Sequence, residues 1–272
     1  MAERLYGRQV FLDIGPEDGP FKRFEDLRIS GRIRKTIGGD PNSAEIDVYN
    51  IAPDSIAAAQ QSDAIVRLFA GYSVPRLVFT GSINPGGVSV KKQGPDRVLS
   101  IEAKDGGRRY RLARINKTFD RGTDLGEVFS ELASATGLPL GAVDVPQGAQ
   151  LTQGVTLTGR VSDALDTLAR SLDADISFQD RTLQILPRGG FAQDEAILVT
   201  SEPRGRNLIG SPAPGSEGLE IRALLDGRFL PGQRISLESE RYSGLYRIRQ
   251  LEHSLDSGWD QSFYSDLICK EV

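Results

Sequence analysis

The chain has 272 residues, enough for two or three separately cored domains at about 100–200 residues each, so a single small domain is excluded. Apolar residues make up 39% and charged residues 26%, which supports a packed core and excludes a disordered tail. With 33 basic and 37 acidic residues, a net charge of −4 and no block of like charge, the composition argues against a grip on nucleic acid through phosphate neutralisation.

The single cysteine, Cys269, precludes an internal disulfide and a cysteine-built metal site. The N-terminus MAERLYGRQVFLDIG lacks the apolar run and small-residue cleavage site of a secretion signal. No stretch approaches the ~18 apolar residues of a membrane helix, so no membrane anchor is expected.

In chain order, period-two alternation comes first. Val10, Leu12 and Ile14 share a face; Leu27, Ile29 and Ile33 alternate with Arg28, Ser30 and Arg32; Ala44, Ile46 and Val48 alternate with Glu45 and Asp47. After Pro53 and Asp54 the tract Ser55–Gln61 predicts a short helix. A strand from Ile65, a turn over Gly71–Pro75, a strand ending near Gly81, and the alternation of Leu99, Ile101 and Ala103 before Asp105-Gly106 complete a small barrel or sandwich.

The middle changes period. Leu125, Val128, Phe129 and Leu132 recur at helical spacing, with Asp124 and Glu127 as a capping pair and Gly137 as stop. Leu165, Leu168, Ala169 and Leu172 repeat the pattern, with Ser162 as cap and Val161 as staple. ADISFQDRTLQILP predicts a hairpin with Ile176 and Phe178 facing Leu183 and Ile185. Beyond the linker PRGGFAQDEA, strands are expected at Leu219–Ile221, Ile235–Leu237 and Tyr246–Ile248. The inward parity slips between Ile248 and the set Leu251, His253, Leu255, which predicts a bulge or bend in one long strand. The reading is mainly β with an α+β insert: residues 1–112 a β-barrel domain, 113–190 a small α+β domain, 191–272 a second β-barrel domain.

These segments resemble the baseplate hub proteins of tailed bacteriophages, which also occur in contractile injection systems. The likeness rests on Gly71-Tyr72, on Phe79 and Gly81, on Asp105-Gly106, on Gly210 and Pro212, and on Tyr246 and Ile248. The resemblance implies two tube-protein-like barrels per chain, so that a homotrimer forms a ring of six similar units between a hexameric tail tube and a trimeric spike. It implies a structural virion protein of the tail baseplate, assembled in the host cytoplasm. Its expected partners are the tail tube or a tube-initiator protein, the spike and other baseplate subunits, with DNA passing through the lumen without specific binding. Two alternatives stand beside it: the hub of a tailocin or other contractile injection system, and a carbohydrate-binding or carbohydrate-degrading tail-tip component.

No catalytic, metal or cofactor residues are assigned. His253, the sole histidine, alternates with Leu251 and Leu255 and reads as a core or edge residue. Cys269 reads as a small buried apolar side chain. Glu102, Asp105 and Asp120 would have to flank one bond to hydrolyse a glycoside; Asp105 fits a turn better. GSPAPGSEG (210–218) lacks the lysine and hydroxyl of a phosphate loop and reads as a surface or interface loop. Trp259, Phe263 and Tyr264 are candidate interface residues. Lys91, Lys92, Arg108, Arg109 and Arg111 read as solvated loop tips or interface rim.

Overall fold

Alternating apolar residues form the strands, and the faces they bury decide how the sheet curls. The computed structural model describes residues 7–38, 41–61, 64–106, 110, 112–144, 148–193, 195–203, 205–258 and 262–272. The first part holds β1 (Gln9–Gly15), β2 (Lys22–Phe24), β3 (Ile29–Thr36), β4 (Ser43–Tyr49), helix α1 (Pro53–Ala59), β5 (Ile65–Gly71), β6 (Arg76–Gln93) and β7 (Asp96–Lys104). Their hydrogen-bonding order is β2-β1-β5-β6-β7-β4-β3. β1 and β3 stand far apart in that order, yet they come into contact, so the sheet curls round one apolar cluster. Leu12, Ile14, Ile29, Ile33, Val48, Leu68, Phe79 and Leu99 are sealed inside it. Each such side chain contributes about 1.5–3 kcal/mol through lost apolar exposure.

One expectation here is corrected. Gly81 does not end a strand, because β6 runs on to Gln93. Ile83 pairs with Ala103 and Val88 with Ile101, so Asn84–Gly87 bulge opposite Glu102 alone. The turn-forming Pro85-Gly86-Gly87 run is absorbed as a bulge within the continuing strand.

The middle part contains β8 (Arg114–Phe119), α2 (Leu125–Thr136), β9 (Leu140–Val143), β10 (Val155–Arg160), α3 (Val161–Leu172), β11 (Ala174–Gln179) and β12 (Thr182–Pro187). β8 and β10 pair with each other, and β11-β12-β9 form a separate three-stranded sheet. Helix α2 starts and stops as its sequence predicts: Asp124 accepts from the Gly126 amide at 2.8 Å, and Gly137 closes it at φ +66°. Helix α3 departs from expectation. It begins at Val161, its N-cap is Arg160 without a side-chain bond, and Ser162 lies inside the first turn with its hydroxyl toward Asp163. The hairpin has the predicted register, Ile176 opposite Ile185 and Phe178 opposite Leu183. These elements enclose a second apolar cluster, from Tyr110 to Ile185.

The last part comprises β13 (Ile197–Thr200), β14 (Leu208–Pro214), β15 (Leu219–Leu224), β16 (Arg234–Glu238), β17 (Ser243–Asp256) and β18 (Phe263–Glu271). Gly210–Pro214 is therefore strand, and the predicted loop is reduced to the turn 215–218, closed by the Gly215 amide on the Gly218 carbonyl at 2.8 Å. Asn207 ties the ends together. Its side chain accepts from the Thr200 amide and donates to the Leu198 carbonyl, while its own carbonyl accepts from the Leu224 amide. A third cluster, from Ile197 to Cys269, fills this part.

β17 joins first and last parts into one 13-stranded sheet. Along one edge its first half pairs with β16 and its second half with β3, while β18 follows the other edge. The handover falls at Arg249, which has no partner on β18 between the pairs Ile248–Cys269 and Gln250–Ile268. Its carbonyl accepts from the Ile37 amide at 3.0 Å. This is the predicted bulge, and it turns Leu251, His253 and Leu255 inward. Leu225, Leu255 and Phe263 consequently pack in the first cluster, not the third.

Candidate functional site

The densest polar chemistry lies where the β11–β12 hairpin meets the first part of the chain. The hairpin's two-residue turn needs left-handed backbone at both positions, and Asp180 (φ +52°) and Arg181 (φ +67°) supply it. The turn drives Asp180 against Lys35, whose Nζ donates to both carboxylate oxygens at 2.8 and 2.7 Å. The Lys35 side chain is fully buried, while that of Asp180 stays 18% exposed. Lys35 shares the inward parity of Ile33, so a charge sits on an apolar face and is tolerable only because it is paired.

Around this pair, Asp105 accepts from the Gly106 amide at 2.6 Å and the Arg181 amide at 2.5 Å. Asn42 donates to the Phe178 carbonyl, and Gln179 donates to the Thr36 carbonyl. Arg181 also pairs with Glu17. Burial, with the Asp180 charge adding to it, pushes the Asp105 carboxyl up to about 6. Asp105 is thus more than the predicted turn residue: it fixes two separate loops at once.

His253 is buried in the same region with Nδ1 2.8 Å from Ser265 Oγ. Burial, reinforced by the Lys35 cation, lowers its pKa to about 3, so the ring is neutral. Burial also pushes the Cys269 thiol up, which leaves it an inert packing group. Among the described residues no group of three histidine, cysteine or carboxylate side chains could hold a metal ion, and no helix is long and apolar enough to cross a membrane.

The outer face of the joined sheet carries charge in matched rows. Arg222 makes a two-pronged pair with Asp266, Arg34 and Arg32 both pair with Glu252, and Arg28 makes a two-pronged pair with Asp256. Between β17, β3 and β4 the face dips into a polar groove of about 310 Å³ lined by Arg28, Arg32, Glu45, Asp47, Tyr49 and Tyr264. At the β1–β5 edge, Phe11 stacks on Phe69 at 4.5 Å, Arg23 lies 4.1 Å from Phe11, and Arg67 lies 3.9 Å from Phe21. These aromatics were not singled out from sequence, because Phe11 and Phe69 fall on the outward parity of strands read for their inward faces.

The residues that carry the resemblance are scattered, and their roles are local. Phe79 and Ile248 are sealed in the first and third clusters, Tyr246 and Pro212 are buried, and Tyr72 packs edge-to-face on Phe263 at 5.3 Å. A Cβ on Gly71 would come 2.9 Å from the Val74 carbonyl oxygen, and one on Gly81 2.6 Å from that of Lys104. Gly106 and Gly210 hold φ +74° and +69°. Of the candidate interface residues, Phe263 is only 1% exposed, so the seam it fills is internal, between β18 and the first cluster. Tyr264 is half-buried beneath Arg222 at 4.3 Å. Trp259, Arg108, Arg109 and Arg111 lie outside the described residues.

No protein-family model and no curated protein matches the chain. Solved structures do. A prophage 43 kDa tail protein from Shewanella oneidensis superposes with a TM-score of 0.65 at 11% identity, covering 97% of this chain and 96% of that one. A tail protein from Neisseria meningitidis gives 0.66 at 14% identity, covering 98% and 97%. An Escherichia coli type VI secretion component, described as structurally similar to the bacteriophage T4 tail proteins gp27 and gp5, gives 0.60 at 14% identity, covering 96% and 76%. The chain therefore has the fold of phage tail proteins and their secretion-system counterparts.

Proposed function

We propose that the chain is a structural subunit of a phage tail baseplate, a hub that works by geometric fit and makes or breaks no bond. In this reading residues 1–112 and 191–272 form two tube-like domains and 113–190 an insert. Three copies present six similar units to the tail tube and a threefold surface to the spike, in a virion assembled in the host cytoplasm. The observation that carries the reading is the end-to-end match with tail proteins, in which almost nothing is left over on either chain. The two sheet-built clusters joined through β17 support the pairing of units within one chain.

Ring formation would use the open edges of the joined sheet, β2 at one end and β14 at the other. The matched charges on its outer face support a lumen through which DNA slides without being gripped, since Arg28, Arg32, Arg34 and Arg222 each have a carboxylate partner. The likeness to a type VI secretion component favours a second reading, the hub of a contractile injection device, in which the same ring carries no DNA.

A reconstruction of the intact particle at the tail tip is the test. Three copies between tube and spike are expected. Six or twelve copies, or a position on a peripheral fibre, would overturn the hub reading. Glycan binding or peptidoglycan cleavage by the purified chain would instead support the carbohydrate-directed alternative.

A further inference from the structure

The outer half of β6 has one neighbouring strand where its inner half has two. The β5 ladder on β6 ends at the pair Ile65–Ser82, and the last backbone tie on that side runs from the Ile83 amide to the Ala64 carbonyl at 2.9 Å. Beyond the bulge, residues 88–93 pair with β7 alone among the described residues. A strand paired on one side leaves every second N–H and C=O pointing away from its partner, so a six-residue backbone edge is open. It is better equipped to pair than either end of the sheet. β2 has only three residues, and β14 carries Pro212 and Pro214, which have no N–H to offer.

The side chains along this edge point the same way. Val88 and Val90 lie opposite Ile101 and Leu99, so both share the inward parity of β7. Val88 packs on the first apolar cluster and Leu99 is sealed within it, yet Val90 is 43% exposed. A strand laid along the edge would cover it. Beside Val90 opens a cleft of about 540 Å³, lined also by Lys91, Lys92, Pro95 and Arg97, which gives room for the side chains of such a strand. Arg97 donates to the Ile51 carbonyl at 3.0 Å, and neither Lys91 nor Lys92 has a carboxylate partner among the described residues.

Charge selects the occupant. Lysines on an edge strand keep like edges apart. The same edge of a second copy would bring two lysines from each chain onto one short ladder, and β2, with Lys22 and Arg23, is cationic as well. An acidic strand meets neither obstacle. We propose that residues 88–93 of β6 take up an extended acidic segment of a different protein as an added strand. Its backbone completes the open ladder, its carboxylates answer Lys91 and Lys92 on the two faces, and an apolar side chain covers Val90. The proposal does not rest on the hub reading, and this edge is separate from the two sheet ends given there to ring formation.

The test uses the full-length chain and fluorescein-labelled peptides built from glutamate and valine. The acidic peptide should bind saturably by anisotropy and slow hydrogen exchange at the amides of residues 88–93. Its lysine-for-glutamate counterpart should not bind. Full N-methylation of the acidic peptide, which removes its donors and keeps its charge, should abolish binding. Lys91→Glu with Lys92→Glu, at two exposed positions, should weaken the acidic peptide about tenfold or more and admit the basic one. No binding, binding that survives N-methylation, or protection confined to other amides would overturn the proposal. So would protection of residues 88–93 when the chain alone is concentrated, which would give the edge to a second copy.

Discussion

Acid acts on Asp105 and His253, both wholly buried, in opposite senses. The Asp105 pKa is raised to about 6, so its contribution to stability is full below its unfolded value near 4 and is lost as pH rises through 6. The His253 pKa is lowered to about 3, so its contribution is full above the unfolded value near 6.5 and is lost as pH falls. At about 1.4 kcal/mol per pKa unit, the two slopes offset one another between pH 4 and 6. Asp105→Asn keeps an acceptor for the Gly106 and Arg181 amides but removes the titration. It should leave the His253 slope exposed, so that urea unfolding at pH 4, 5, 6 and 7 shows a steeper acid loss than wild type. Superimposable profiles would refute the assignment. Sequence read His253 as a core or edge residue and Asp105 as a turn residue, but the pH coupling was not legible because it depends on burial by distant segments. Lys35 was missed for a related reason. Its parity with Ile33 pointed inward, but the partner that makes a buried lysine tolerable lies 145 residues along the chain.

Elements were read well where one local pattern governs them. The hairpin register, the α2 cap and stop, and the Arg249 bulge all follow from spacing within about a dozen residues. They failed where a glycine or serine had two local meanings. Ser162 falls one turn position too late, because α3 already begins at Val161 after Arg160, and the glycines of β6 serve a continuing strand. Gly81 illustrates the difference. An added Cβ there would lie 2.6 Å from the Lys104 carbonyl oxygen and 2.6 Å from the Phe79 ring, inside the β5–β6 ladder opposite Val66 and one residue before β7 joins at Ser82–Lys104. Gly81→Ala should therefore cost more than 2 kcal/mol, because backbone must move. Gly137→Ala, at the left-handed stop of α2, should cost about 1 kcal/mol. Denaturant midpoints of the two variants would rank them, and the reverse order would refute the strand-interior account of Gly81.

At the scale of the whole molecule, one strand braces three cores. β11 presents Asp175 near its start to Arg247 of the last part, and Asp180, just past its end, to Lys35 of the first part. Five residues of extended chain span about 17 Å, so the hairpin acts as a strut between the two halves that β17 already joins through backbone. Two ties of different kinds couple the halves, as the proposed hub role would require. Lys35→Met should cost about 3–5 kcal/mol, since it strands the Asp180 carboxylate in a buried joint. Lys35→Met with Asp180→Asn should recover most of that loss, because the asparagine tolerates the left-handed turn and carries no charge to strand. Wild type should unfold in one transition, and adding Asp175→Asn to the pair should split it in two, with amides of the second cluster exchanging before those of the first and third. A transition that stays single, with exchange still uniform, would mean that apolar packing alone couples the insert and the strut is dispensable.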